Sequence, residues 1–266
     1  MLNAMYGSLK AILKKPHGLI IPFIASLLSA YFFILFIRTV IEILADNVLY
    51  ANILQESVFA TLMFIAKAKS AELLKMFALA LANSWLGIFV GVYYCKFIAL
   101  VEKTGAFSRA VKFAFKSLWH SIALLIIGII FFATFGIIAY IILWLFGFNF
   151  LLCIFALLFL GLFMAIVALR LFMFTLPALA YEKINARKAL QRSWYFTQEF
   201  FWQSLALAIV LTFIVLLIFA LQQYILNFFD DTLAILIIYS LFNSFAVAFS
   251  FGTLSIYYAE RRSKAK

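Results

Sequence analysis

The side chains that most often carry out chemistry in proteins are few in this chain and stand far apart. Its 266 residues include two cysteines and two histidines. Cys95 and Cys153 lie inside apolar runs, where a thiol behaves as a small apolar side chain. His17 and His120 stand beside basic residues just before an apolar run, which favours a position at a membrane interface. No spacing of histidine, cysteine and carboxylate residues indicates a metal site.

The distribution of charged residues also argues against enzyme activity. Asp, Glu, Lys and Arg are absent from the middle of every long apolar run. Proton-coupled pumps, ion-coupled carriers and intramembrane proteases normally need such groups at mid-depth. The chain also has no His-Glu-x-x-His, Walker or Gly-x-Ser-x-Gly motif. We therefore expect a non-enzymatic protein without catalytic, cofactor-binding or metal-binding residues.

Composition places the chain in a membrane. It is 68% hydrophobic and 12% charged, with a mean hydropathy of +1.16, whereas soluble domains are about 45–50% apolar and about 25% charged. A crossing needs about 20 apolar residues. The runs predict one all-α polytopic membrane domain over residues 1–266, with six spans at about 18–37, 76–95, 121–146, 150–169, 204–229 and 233–257.

The basic residues predict the orientation of the spans, since Lys and Arg are enriched in cytoplasmic segments. Seventeen of the 21 lie in the N-terminal segment, in the connections after the second and fourth spans, and in the tail. The other four are Arg38, Lys67, Lys69 and Lys75. Both termini are therefore expected in the cytoplasm, and the outer-face connection at about 38–75 is expected to carry an amphipathic helix at Val58–Ala66.

Three basic amphipathic helices are predicted at about 2–14, 107–118 and 186–200, each leading into a pair of spans. The unit of amphipathic helix plus transmembrane hairpin thus occurs three times. Basic residues near an anionic leaflet contribute about 1 kcal/mol each, so anionic lipid headgroups are candidate ligands. The alternative is that these charges serve only topology and solvation. The candidate headgroup residues are Lys14, Lys15, Arg109, Lys112, Lys116, Arg187, Lys188 and Arg192.

Small and polar residues recur at intervals of three and four in the second span and at multiples of four in the sixth. Ser84, Gly87 and Gly91 lie in the second, and Ser244 and Gly252 in the sixth. Such residues let helix backbones approach closely, and helix packing is the favoured interpretation. The alternative is a polar path through the membrane that also includes Asn83 and Asn243.

Arg170 is the charge that ends the fourth span. Counted at about 1.5 Å per residue from the turn at 147–149, it falls near the cytoplasmic boundary. Its side chain could extend to lipid phosphate groups. Alternatively, it could pair with Glu182, beyond a helix break at Pro177.

One segment of the chain resembles a known group of membrane proteins. The residues are Arg170-Leu-Phe-Met-Phe-Thr-Leu-Pro177-Ala-Leu-Ala-Tyr-Glu182, then Ala189-Leu-Gln-Arg-Ser193-Trp194, with Tyr257-Tyr258-Ala-Glu-Arg261-Arg262 at the end. They are similar to YciC-like proteins and to the membrane domain of glycerophosphoryl diester phosphodiesterases. Lys183-Ile184-Asn185 stands where that group has a glycine-containing turn. The resemblance implies a six-span integral membrane protein, but not phosphodiesterase chemistry, which resides in a separate soluble domain.

Two function classes are consistent with these sequence features. The favoured one is a membrane protein that organises or binds lipid, or that supports a membrane complex. The alternative is a transporter or permease for a small or amphiphilic solute. Nucleic-acid binding is disfavoured, because the basic residues are spread over four separate segments.

Overall fold

A computed structural model describes residues 1–48, 70–145, 150–229 and 231–262. Within these ranges the chain forms helices and turns, without a strand. The predicted helix at 58–66, the turn at 147–149, and Lys67 and Lys69 lie outside the described residues.

Ten α-helices and one short 3-10 segment, Pro16–Leu19, make up the described part of the chain. The helices are α1 Leu2–Lys14, α2 Ile20–Val48, α3 Ser70–Ala99, α4 Ala106–Lys116, α5 Leu118–Leu145, α6 Phe150–Phe172, α7 Thr175–Glu182, α8 Ala186–Glu199, α9 Phe201–Leu226 and α10 Thr232–Arg261.

Six segments of the described residues are long and apolar enough to cross a membrane. They are Pro16–Ile41, Ser70–Ala99, Leu118–Leu145, Leu152–Glu182, Phe201–Leu226 and Thr232–Arg261. The predicted all-α polytopic fold is thereby confirmed, and the chain is a multi-pass integral membrane protein.

The three amphipathic helices each join a span through very few residues. Lys15 and the 3-10 segment connect α1 to α2, Ser117 connects α4 to α5, and Phe200 connects α8 to α9. Both Ser117 and Phe200 leave helical geometry, with φ/ψ of −92°/9° and −113°/36°. The helical backbone is therefore interrupted between each amphipathic helix and its span.

The helices extend beyond the apolar runs that predict them. Residues 38–48 and 70–75, expected in the outer connection, belong to the ends of α2 and α3. Hydropathy marks only the part of a helix that lies in hydrocarbon, and a helix continues wherever its backbone hydrogen bonds do.

The fourth span breaks earlier than predicted. The turn falls at Met173 and Phe174, and Pro177 occupies the third position of α7. There its missing amide hydrogen costs nothing, because the first amides of a helix have no partner within it. The ring of a proline collides with the carbonyl group four residues before it, here that of Met173. The proline thus breaks the helix, but upstream of itself.

Most tightly buried side chains lie at one end of the bundle. We call this the basic end: α1, α4, α7 and α8 with the adjoining ends of α3 and α10. The rings of Phe174 and Phe196 pack there in a tilted arrangement at 4.6 Å between centroids, and the ring of Phe196 lies 4.9 Å from that of Tyr258. Towards the other end, side chains such as Phe132, Tyr140 and Trp144 are exposed, as expected of surfaces that contact lipid.

Close packing at the basic end depends on glycines such as Gly91 and Gly252. A Cβ atom at Gly252 would lie 2.2 Å from Ser8 Oγ, which donates a hydrogen bond to the carbonyl of Phe249 at 3.1 Å. A Cβ at Gly91 would lie 2.5 Å from Leu176 Cδ1. A Cβ at Gly87, by contrast, would have no neighbour within 4 Å. Gly91 and Gly252 thus serve packing, and Gly87 does not.

We expect Gly252→Ala to lower the thermal stability of the protein in detergent. The added methyl group displaces Ser8, which costs its hydrogen bond, about 1 kcal/mol, and adds overpacking of about 1–3 kcal/mol. Gly87→Ala is the matched control and should leave the melting temperature almost unchanged. Equal losses of melting temperature in the two variants would show that close approach at Gly252 is not what stabilises the packing of α1.

Candidate functional site

The hydroxyl group of Ser193 bridges the break in the fourth span. The amide of Phe174 donates to Ser193 Oγ at 3.1 Å, and Ser193 Oγ donates to the carbonyl of Arg170 at 3.0 Å. These two backbone groups are four residues apart and would bond each other in a continuous helix. A side chain of α8 therefore replaces one backbone hydrogen bond of α6.

A second contact joins α7, α8 and α10. Arg192 Nε donates to Glu182 Oε1 at 3.2 Å, and its Nη2 donates to the carbonyl of Arg262 at 3.0 Å. The hydroxyl of Tyr258 also donates to Glu182 Oε1. Burial lowers the pKa of Arg192, but its interactions with Tyr258 and Glu182 raise that pKa more. The guanidinium therefore stays charged, and it holds three segments together.

Arg170 is held differently from the predicted pairing. Its guanidinium carbon lies 5.1 Å from the ring centroid of Trp194 and 5.3 Å from that of Phe201, whereas the ion pair of Glu182 is with Arg192. Stacking on aromatic faces stabilises a cation. The structure thus gathers Arg170, Glu182 and Trp194 at one junction with Ser193, but in pairs other than the sequence suggested.

Two lysines are bonded to main-chain carbonyl groups. Lys15 donates to the carbonyls of Val101 and Lys103, the latter at 3.5 Å. Lys96 donates to the carbonyl of Ala180 at 2.7 Å. Lys15, a predicted headgroup residue, therefore fixes the α3–α4 connection. From the sequence, Lys96 is only one of the basic residues that predict the orientation of the spans. Nothing near it in the sequence predicts its contact with α7.

The remaining predicted headgroup residues are exposed at the basic end. Aromatic side chains are exposed at the same end, including Phe115, Trp119 and Trp202, which are 59%, 79% and 78% exposed. Aromatic residues of this kind are enriched at membrane interfaces. The exposed cations are Lys14, Arg109, Lys112, Lys116, Arg187 and Lys188.

A cavity of about 600 Å³ opens at the basic end between α1, the α3–α4 connection and the end of α10. We call it the α1 cavity. Its charged lining residues are Lys10, Lys14, Glu102, Lys103 and Glu260. A shallower groove of about 350 Å³ also runs along α1.

The proposed polar path divides into separate environments. Asn83, Gly87 and Asn243 line one cavity of about 200 Å³ between α2, α3 and α10, where Asn243 Nδ2 donates to Ser26 Oγ at 3.3 Å. Ser84 instead lines an apolar groove of about 540 Å³ between α3, α5 and the α6–α7 junction. Ser244 bonds the carbonyl of Leu241 in its own helix at 2.8 Å.

The chain matches no protein-family model, no curated protein and no solved structure. Among the residues that the structure describes, no group of three or more His, Cys, Asp or Glu side chains could hold a metal ion. Its function is therefore inferred from its own side chains and cavities.

The connection from Glu182 to α8 contains a backbone conformation that favours glycine. Lys183 has φ 53° and ψ 35°, in the left-handed region. Lys183 begins the segment Lys183-Ile184-Asn185, which stands where the resembling group has a glycine-containing turn. We expect Lys183→Gly to melt at a higher temperature than Lys183→Ala, because only glycine occupies this region without a Cβ penalty of about 1 kcal/mol. Identical melting temperatures would contradict the assigned turn.

Ser193→Ala is expected to destabilise the protein strongly. It leaves the amide of Phe174 and the carbonyl of Arg170 buried without a partner, at about 1–3 kcal/mol for each group. Ser204→Ala is a matched control, since the Ser204 hydroxyl is equally buried and makes no hydrogen bond. Thermal unfolding in detergent should separate the two variants, and a Ser193→Ala protein as stable as the control would refute the bridging role.

Proposed function

We propose that this protein is a non-enzymatic, multi-pass component of a cell membrane whose basic end faces the cytoplasm and binds anionic phospholipid headgroups. The observation that carries the proposal is the exposed surface of α4 and α8. Five cations stand on it without being drawn into the network around Glu182. They are Arg109, Lys112, Lys116, Arg187 and Lys188.

The physical basis is electrostatic and hydrophobic together. A basic residue close to an anionic leaflet contributes about 1 kcal/mol, so five of them sum to several kcal/mol before screening. Amphipathic helices with aromatic residues on their apolar side lie at headgroup depth. Phe115 on α4, together with Trp119 just beyond it, supplies this anchor. The cations of the same helices then meet lipid phosphate groups.

The resemblance to YciC-like proteins supports a role without catalysis. Among the residues that carry it, Glu182, Arg192 and Ser193 make hydrogen bonds between helices. Residues engaged in this way organise the fold, which favours a structural role for this motif over a catalytic one. Membership of that group is part of the proposal.

Transport of a small solute is the second candidate. It is favoured by the cavity that joins Asn83 and Asn243 between three spans. Reaction of a cysteine at Asn83 with a membrane-impermeant thiol reagent, from one side only, would favour this candidate over lipid binding.

The double variant Arg187→Gln with Lys188→Gln tests the leading proposal. The loss of two charges should weaken binding of phosphatidylglycerol on the order of tenfold, as followed by lipid titration with native mass spectrometry. The control exchanges the two residues, Arg187→Lys with Lys188→Arg, and should bind as the parent protein does. Unchanged phosphatidylglycerol binding by a folded double glutamine variant would show that these charges determine only the topology of the chain.

A further inference from the structure

The walls of the α1 cavity are fixed by contacts outside it. Ser8 and Gly252 hold α1 against α10, and Lys15 binds the carbonyls of Val101 and Lys103 in the α3–α4 connection. The side chains of this connection are thereby held opposite α1. Binding is less costly where the site is organised before the ligand arrives.

The cavity contains charges of both signs. Lys10, Lys14 and Lys103 supply three ammonium groups, and Glu102 and Glu260 supply two carboxylates. No ion pair among the described residues joins one of these lysines to one of these carboxylates, and Glu260 lies 3.8 Å from Arg261 instead. Glu102 and the three lysines thus remain available to a ligand, and Glu260 is engaged through Oε2 alone.

The α1 cavity also has an apolar continuation. The groove along α1 is lined by Tyr6, Leu9 and Leu13, and it shares Lys10 and Lys14 with the cavity. Tyr6 and Leu13 are 68% and 72% exposed. A ligand whose polar head occupies the cavity can therefore lay an acyl chain over this stripe.

We propose that the α1 cavity is a second lipid site, separate from the surface of α4 and α8, and that it binds an aminophospholipid. The lysines hold the phosphate group, and Glu102 and Glu260 accept hydrogen bonds from the primary ammonium of the same headgroup. Hydrogen bonds between charged groups, such as these, are stronger than hydrogen bonds between neutral groups.

This arrangement discriminates among headgroups. The quaternary ammonium of phosphatidylcholine has no N–H to donate to either carboxylate. Phosphatidylglycerol carries no cation, so Glu102 and Glu260 would face a negative ligand. Phosphatidylethanolamine satisfies both sets of charges, and is the probe of choice. The selectivity is opposite to that of the α4–α8 surface, where negative charge alone is favoured.

The test is a titration of the purified full chain with phosphatidylethanolamine, phosphatidylcholine and phosphatidylglycerol, followed by native mass spectrometry. Glu102→Gln with Glu260→Gln should lose a preference for phosphatidylethanolamine over phosphatidylcholine on the order of fivefold. Glu199→Gln, an exposed carboxylate on α8 outside the cavity, is the control and should keep the preference. A preference that survives in the double variant overturns the proposal, as does equal binding of the two lipids by the parent protein.

Two further arms separate the possible occupants and sites. Glycerophosphoethanolamine has the same headgroup without acyl chains, and should compete poorly; equal competition would replace the lipid with a soluble ligand and overturn the proposal. Arg187→Gln with Lys188→Gln should leave phosphatidylethanolamine binding unchanged. A failure of the α4–α8 surface to bind anionic lipid can thus be distinguished from a failure of the α1 cavity to bind phosphatidylethanolamine.

Discussion

The fourth span does not continue as one α-helix, because the ring of Pro177 would collide with the carbonyl of Met173 in a continuous helix. The break leaves backbone groups that must find partners in a place without bulk water. Ser193 supplies both a donor and an acceptor to them. This requirement draws α8 against the α6–α7 junction, and with it Arg192, which reaches Glu182 and the end of α10. The packing of α8 at the basic end therefore depends on one hydroxyl group that takes the place of one interrupted backbone hydrogen bond.

The basic residues of this end divide into two groups with different physical roles. Lys15, Lys96 and Arg192 point into the protein and bind carbonyl or carboxylate oxygens. Their N–H groups take the place of water as hydrogen-bond donors to oxygen atoms at the ends of chain segments. Others, such as Lys112 and Lys188, remain exposed and are free to interact with the surroundings. A single excess of positive charge thus serves the assembly of the fold and also leaves an exposed basic surface.

Much of the fold could be predicted because long apolar runs and stripes of charge are properties of single helices. The roles of individual side chains depend on contacts between helices, which spacing along one helix does not reveal. Arg192 and Lys15 share their stripes with exposed cations, yet both bind other segments. Gly87 and Gly91 belong to one Gly-x-x-x-Gly motif. Only the atoms around each glycine show that Gly91 packs against another helix, whereas Gly87 lines a cavity. Ser193 gains its role from a break that lies upstream of the proline causing it.

Three short amphipathic helices lie at one end of the bundle, so the extra length of the longest spans falls at the other end. The 29 residues of α2 and the 30 of α3 measure about 43 and 45 Å at 1.5 Å per residue, against about 30 Å of hydrocarbon. The surplus must tilt or project at the opposite face, where α2 and α3 carry Arg38, Glu72 and Lys75. A thinner or thicker bilayer would accordingly change how far these two helices protrude on that side, while the junction around Ser193 keeps its place.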